Sequence, residues 1–265
     1  MPHDFQERLI LTDGAKQNII ADEHLIRYEL AKRYVKGKVV LDLACGSGYG
    51  ARILAIAGAV KVIAIDVSRE AIEYANKNFA HENIDYRIGD AQALDLPDKS
   101  IDIITSFETI EHLADQHKYL AELKRVVKPN GLVFISTPNR EASTGKNPFH
   151  VQEYDKQEFT GLLKQHFKSY RVVGQINGLA SSLILSDGAP SKILLANGAA
   201  PVYFLAICST GDVLPNLAPE NIVSLNPRAL NQLYNNPAVR LANQIYSLII
   251  KIPGLKKLLK LLKPL

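Results

Sequence analysis

Three carboxylates, Asp42, Asp66 and Asp90, each stand at the end of a strand-like run, and a glycine-rich turn follows the first of them. The runs are VVLDL (39–43), KVIAID (61–66) and IDYRIG (84–89), and the turn reads Ala44-Cys45-Gly46-Ser47-Gly48-Tyr49-Gly50. Glycines at 46 and 48 let the backbone approach a ligand and take angles closed to other residues. A helix starting there aims its free N–H groups and positive dipole end at that ligand. A lone Gly-x-Gly is weak, because dinucleotide sites share it. The neighbours discriminate. Asp42 would repel a pyrophosphate but suits a ligand with a cationic part, and Gly50 fits the third glycine of a dinucleotide turn poorly. Asp66 can accept from two ribose hydroxyls, and Asp90 from an adenine amino group.

These residues need a scaffold of alternating strands and helices. Residues 18–35 space Ile19, Leu25, Ile26, Leu30 and Tyr34 as a helix does. Further helices are expected over 51–59, 68–80 (with Ser68 as N-cap), 115–127 and 155–167, and further strands over 101–107, 132–138, 170–176 and 202–210. Pro129-Asn130-Gly131 reads as a helix stop and turn. Strands separated by helices imply right-handed crossovers and a parallel sheet covered on both faces, which explains the unbroken apolar runs. Residues 178–200 are rich in small residues and ambiguous, an extended connection being one reading.

On VVLDLACGSGYG, VIAIDVS, GDAQALDLPDKSIDIITSFETIEHL and LKRVVKPNGLVFISTPN, the chain resembles the class I S-adenosylmethionine-dependent methyltransferases over roughly residues 20–210. The resemblance implies an α/β, Rossmann-like seven-stranded sheet, mostly parallel, with helices on both faces and the last strand antiparallel. It implies S-adenosylmethionine as cofactor, held by Asp42, Ala44, Gly46, Gly48, Asp66, Val67, Asp90, Ala91 and Phe107. Ala44 departs from the glycine that many members carry there. His24, Arg27 and Tyr28 sit on neighbouring positions of the first helix, which in related enzymes covers the cofactor. Arg27 either pairs with the methionyl carboxylate or belongs to an exposed charged face.

Ligands of open α/β sheets bind beyond the carboxyl ends of the strands, so 107–112 and 137–139 should face the acceptor. Methyl transfer from a sulfonium requires alignment, and a base when the acceptor is a hydroxyl. His112 is a candidate base. Glu108, Glu111 and His112 also look like the metal-binding segment of ubiquinone-biosynthesis O-methyltransferases, and could hold magnesium or manganese. Metal-free members share the segment, so no residue is assigned to a metal; the alternative has Glu111 and His112 capping a helix and lining the pocket. In NPFHVQEY (147–154), Phe149, His150 and Tyr154 suggest an aromatic wall. Methyltransferases of bacterial surface-glycan clusters look similar here, which makes His150 a base or hydrogen-bond partner; an ordinary loop histidine is the other reading.

Hydrophobic residues form 47% of the chain and charged residues 22%, values of a soluble globular domain. Cys45 and Cys208 lack metal-like spacing and argue for a reducing compartment. With no secretory signal or long apolar span in view, a cytoplasmic location is expected. Residues 221–265 carry seven basic residues and no acid. Over 255–263, leucines share one helical face flanked by lysines, as at an anionic membrane surface; packing against the domain or a second subunit gives the same pattern. No aromatics interleave with the lysines, so nucleic acid is not expected. The expected organisation is a helical cover (1–36), a methyltransferase domain (37–212) and a basic helical tail (213–265). The expected acceptor is a sugar or glycan intermediate; the rivals are a small-molecule or quinone-type O-methyltransferase and a non-catalytic S-adenosylmethionine-binding partner, with a homo-oligomer allowed in each case.

Overall fold

A computed structural model describes residues 19–142, 147–176, 180–184, 201–214 and 222–225. The chain opens with helix α1 (Ile19–Ala31) and a 3-10 turn at Lys32–Tyr34. It continues through β1 (Val39–Leu43), α2 (Tyr49–Ile56), β2 (Lys61–Asp66), α3 (Arg69–Phe79), β3 (Ile84–Ile88) and β4 (Ile101–Phe107). A 3-10 turn at Ile110–His112 leads to α4 (Gln116–Val126), β5 (Val127–Pro138), α5 (Lys156–His166) and β6 (Ser169–Ile176). The remaining strands are β7 (Ala180–Ile184), β8 (Tyr203–Ser209) and β9 (Ile222–Leu225).

The strands form one sheet in the order β3-β2-β1-β4-β5-β8-β6-β7-β9. Neighbours from β3 to β5 pair in parallel, and β8 enters antiparallel between β5 and β6. The first seven strands in that order are the expected mixed sheet with its late antiparallel strand. Two further strands extend the β6 edge: β7 pairs antiparallel with β6, and β9 with β7. β7 lies inside the stretch read as ambiguous. β9 falls within the segment assigned to a basic tail; 226–265, the leucine–lysine stretch included, lie outside the described residues.

Apolar side chains fill both faces of the sheet. One cluster joins Val40, Val62, Ala64 and Phe134 to Ile26 and Leu30 of α1 and Leu54 of α2. The other joins Leu41, Ile63, Ile104 and Ile135 to Leu120 and Leu123 of α4 and Phe159 of α5. Alternate residues of the central strands face these two clusters, so both faces of the sheet centre are largely apolar, as a doubly covered sheet demands.

Local signals set the helix starts. The Ser68 hydroxyl accepts from the Ala71 amide at the head of α3, and Asp155 with Glu158 forms a reciprocal capping box at the head of α5. The Pro129-Asn130-Gly131 signal acts differently from expectation. α4 stops at Val126 and β5 begins at Val127, with the three residues inside the strand, Asn130 at φ +63° and the register against β4 shifting between Ile101 and Ile103. Pairing with β4 absorbs the turn residues as a bulge.

Candidate active site

At the carboxyl ends of β1, β2, β4 and β5 the sheet opens into a cavity of about 970 Å3. Its walls come from four regions: His24 and Tyr28 of α1; the turn after β1 with Asp66 and Val67; Gly89 to Gln92; and the segments after β4 and β5 with Tyr203 of β8.

The turn after β1 is shaped by backbone conformation. Ala44 (φ +57°) and Gly46 (φ +53°) both adopt left-handed angles and both line the cavity. A Cβ added at Gly46 meets no atom of the described residues within 4 Å, so a side chain there would take up cavity space. The left-handed angle at position 44 explains why a glycine is natural there and makes alanine a strained substitute. Gly50 has another purpose. A Cβ there would lie 2.0 Å from the Tyr28 ring, so Gly50 lets α1 settle on α2 and does not line the cavity. Gly48, the residue before α2, backs onto Ala75 and Tyr86 rather than the cavity.

The three strand-end acids differ. Asp66 is buried on the cavity wall, where its carboxylate accepts from the Gly46 and Ser68 amides, each over 2.9 Å. Asp90 lines the cavity and accepts from the Gln92 amide. Asp42 lies beneath the floor, outside the cavity wall, and its Oδ1 accepts from Tyr28 Oη (3.1 Å) and Thr105 Oγ1 (2.7 Å). Burial raises its carboxyl to about 7 despite both hydrogen bonds. Val67, Ala91 and Phe107 complete this end of the wall.

Arg27 is fully buried, which removes the exposed-face reading. It does not line the cavity. Its Nε donates to Gln175 Oε1 (2.8 Å), its Nη1 lies 3.1 Å from Glu108 Oε1, and its guanidinium stacks 4.4 Å from the centre of the Tyr203 ring. Glu108, at φ +50°, also accepts from Ser136 Oγ over 2.8 Å. Arg27 thus holds two wall residues, Glu108 and Tyr203, from behind. His24 sits beside it, and burial with that positive charge lowers the imidazole to about 3, so it lines the cavity uncharged.

At the far end stand Glu111, His112, Asn139, Asn147, Phe149, His150 and Glu153. His112 and His150 meet edge to face with ring centres 4.9 Å apart. His112 Nδ1 lies 3.1 Å from the Phe149 carbonyl oxygen; His150 Nδ1 lies 2.6 Å from Glu153 Oε1 and its Nε2 3.0 Å from Asn147 Nδ2. Glu111 is fully buried, and burial together with the neighbouring Glu108 charge drives its carboxyl well above the usual range. Two expectations change here. Tyr154 is not part of the wall: it is buried in the core beside Phe159. Glu111 and His112 do not cap α4; the Asp115 side chain does, accepting from the Lys118 amide.

Tyr203, Asn147, Glu153 and Gly89 escaped the sequence reading. Tyr203 reaches the wall because β8 runs antiparallel to β5 and sets it opposite Pro138, a pairing with no local signature. Glu153 was legible in principle, since it lies three residues after His150, one turn's reach for an ion pair.

Comparison with known proteins agrees with the fold class. Residues 41–135 match the family described as Methyltransferase domain. A protein of Mycolicibacterium smegmatis named a probable S-adenosylmethionine-dependent methyltransferase is 35% identical over 155 residues, 57% of this chain and 59% of that one. The ubiquinone biosynthesis O-methyltransferase of Coxiella burnetii is 38% identical over 109 residues, 40% of this chain and 46% of that one. The chain therefore spans about half the length of the curated relatives it matches. The solved S-adenosylmethionine-dependent methyltransferase of Mesorhizobium loti superposes with a TM-score of 0.54 at 15% identity, covering 72% of this chain and 100% of that one, a likeness of fold.

Proposed function

We propose that this chain transfers the methyl group of S-adenosylmethionine to a hydroxyl oxygen of a sugar or glycan intermediate. The carrying observation is a single cavity with two unlike ends: a glycine turn with Asp66 and Asp90 at one, a pair of imidazoles at the other.

The first end fits the cofactor. Gly46 leaves open space where a side chain would intrude, and Asp66, ordered by the Gly46 and Ser68 amides, presents a carboxylate on the cavity wall as an acceptor for ribose hydroxyls. Asp90 and Ala91 lie where the adenine would rest, and the uncharged His24 and the Tyr28 ring close the α1 side. Asp42 serves the turn from below by holding Tyr28 and Thr105.

In the reaction the acceptor oxygen bonds the methyl carbon while the carbon–sulfur bond breaks, its electron pair passing to sulfur, and the hydroxyl proton leaves. His112 and His150 line this end and hold that hydroxyl, and a neutral imidazole accepts its proton, at His150 once the acceptor takes the place of Asn147 at Nε2. Glu108, held by Arg27 and Ser136, shapes the wall between the two ends.

Incubating the protein with S-adenosylmethionine labelled in the methyl group and fractionated cell-envelope sugars tests this reading. Label should enter a glycan or lipid-linked sugar; label entering a quinone pool instead would favour the quinone-type reading, to which the likeness to the Coxiella protein lends support. The glycan acceptor and the basic composition of 221–265 together suggest work at a membrane surface. Deleting 244–265 should then reduce co-sedimentation with anionic liposomes; undiminished sedimentation would remove the membrane from the proposal.

A further inference from the structure

The acceptor end holds a cluster whose geometry exceeds what a general base requires. Glu111, His112 and His150 each bring one ligating atom to within 4.8 Å of the other two. Among the described residues, neither carboxylate oxygen of the fully buried Glu111 meets a partner with hydrogen-bond geometry. A buried carboxylate without a donor or a cation is costly, and its surroundings in folded proteins ordinarily supply one.

The two imidazoles are set as metal-bound imidazoles are. His112 Nδ1 faces the Phe149 carbonyl oxygen at 3.1 Å, and His150 Nδ1 faces the Glu153 carboxylate at 2.6 Å. A carbonyl or an ionised carboxylate only accepts, so both Nδ1 atoms carry the hydrogen and both Nε2 atoms keep a lone pair. Asn147 is consistent with this. Its Oδ1 accepts from the Phe149 amide, which turns its Nδ2 toward His150 Nε2 at 3.0 Å as a donor, a hydrogen bond that an ion at Nε2 must displace. Histidines that bind metals characteristically donate the second ring N–H to a backbone carbonyl or a carboxylate, which fixes ring and tautomer. Both forms of that support are present.

We propose that Glu111, His112 and His150 bind a divalent first-row transition ion, of the zinc or cobalt kind, at the acceptor end of the cavity. The set differs from the Glu108, Glu111 and His112 segment named by resemblance. Glu108 is held by Arg27 and Ser136, and His150 arrives instead from the loop after β5. Two imidazole nitrogens also change the preferred ion, since magnesium favours oxygen ligands and retained water. With an ion there the two imidazoles would serve as its ligands in place of the base, and the ion would lower the pKa of an acceptor hydroxyl whose proton passes to solvent. Its value to the reaction rests on the reading of this end as the acceptor's.

Full-length protein stripped with a chelator and titrated with Co(II), followed by visible absorption and by metal analysis after gel filtration, tests the site. The background carries His117→Ala and His166→Ala, which removes an exposed imidazole pair with ring nitrogens 3.0 Å apart. The expected result is one cobalt per chain with a ligand-field band that excess magnesium does not displace. Glu111→Gln and His150→Ala should abolish the band, and Glu153→Gln should weaken binding about 10- to 100-fold. Absence of the band, its survival in both Glu111→Gln and His150→Ala, or displacement by magnesium overturns the proposal. Calorimetry with S-adenosylhomocysteine on the same samples separates the two readings. Cofactor-product binding without cobalt binding overturns the ion alone; cobalt binding without it overturns methyl transfer and leaves the ion.

Discussion

The two ends of the cavity are built by different means. At the cofactor end, Ala44, Gly46, Asp66 and Val67 lie within 23 positions of one another, and their geometry follows from one strand–turn–helix unit and its neighbouring strand. At the acceptor end, Glu111 and His112 meet His150 across the whole of α4 and β5. Arg27 reaches Gln175 over 148 positions to steady the wall between them. One end is written in local sequence, and the other exists only after the sheet has formed.

If that contrast is sound, damage to one end should leave the other working. The largest expected effect is His150→Ala, which should lower turnover about 100-fold or more. Affinity for S-adenosylhomocysteine should stay within about twofold. Initial rates and calorimetry on the same preparation read both, and a parallel loss of affinity would dissolve the separation of the two ends.

Gly46→Ala is the converse. Holding alanine at φ +53° costs about 1–2 kcal/mol, and its methyl group enters ligand space. Cofactor affinity should fall about tenfold, while turnover at saturating cofactor stays near that of the parent; an unchanged affinity would free the turn of its assigned role.

The third effect is smaller and concerns the floor. The Asp42 carboxyl is raised from 3.8 to about 7 in the fold. Its folded-state value exceeds the unfolded one, so its contribution is fully present near pH 4 and is lost as pH rises through about 7. Asp42→Asn keeps an oxygen for Tyr28 and Thr105 and removes the charge. It should stabilise the ligand-free protein by about 1–3 kcal/mol at pH 8 and hardly at all at pH 4. Denaturant unfolding at the two pH values checks the sign, and an equal effect at both would show that burial of the charge is not the cause.

The same contrast explains what the sequence disclosed. The strand-end acids, the turn and the Ser68 cap were legible because short-range chemistry fixes them: an apolar run of strand length, an acid, then glycines at a helix start. The fold class followed from the alternation of such units. Asp42 was correctly placed on its strand, yet its position beneath the floor depends on Tyr28 from α1 and Thr105 from β4, partners far away in the chain. Gly50 was noticed for what it failed to match, and its purpose emerged only when the Tyr28 ring was found against it. Tyr154 was misread because an aromatic residue in a polar loop resembles a wall residue until the core behind the loop is known. β7 and β9 could not be read from 178–200 and 213–265, since strands of five and four residues are too short to show a period.

Calorimetry of S-adenosylhomocysteine against the parent chain and Asp66→Ala tests the central claim most directly. The account predicts clear binding by the parent and a loss of about 100-fold or more in the variant, because a charged acceptor for two hydroxyls is removed. Equal affinity in the two proteins, or no binding by the parent, would contradict it.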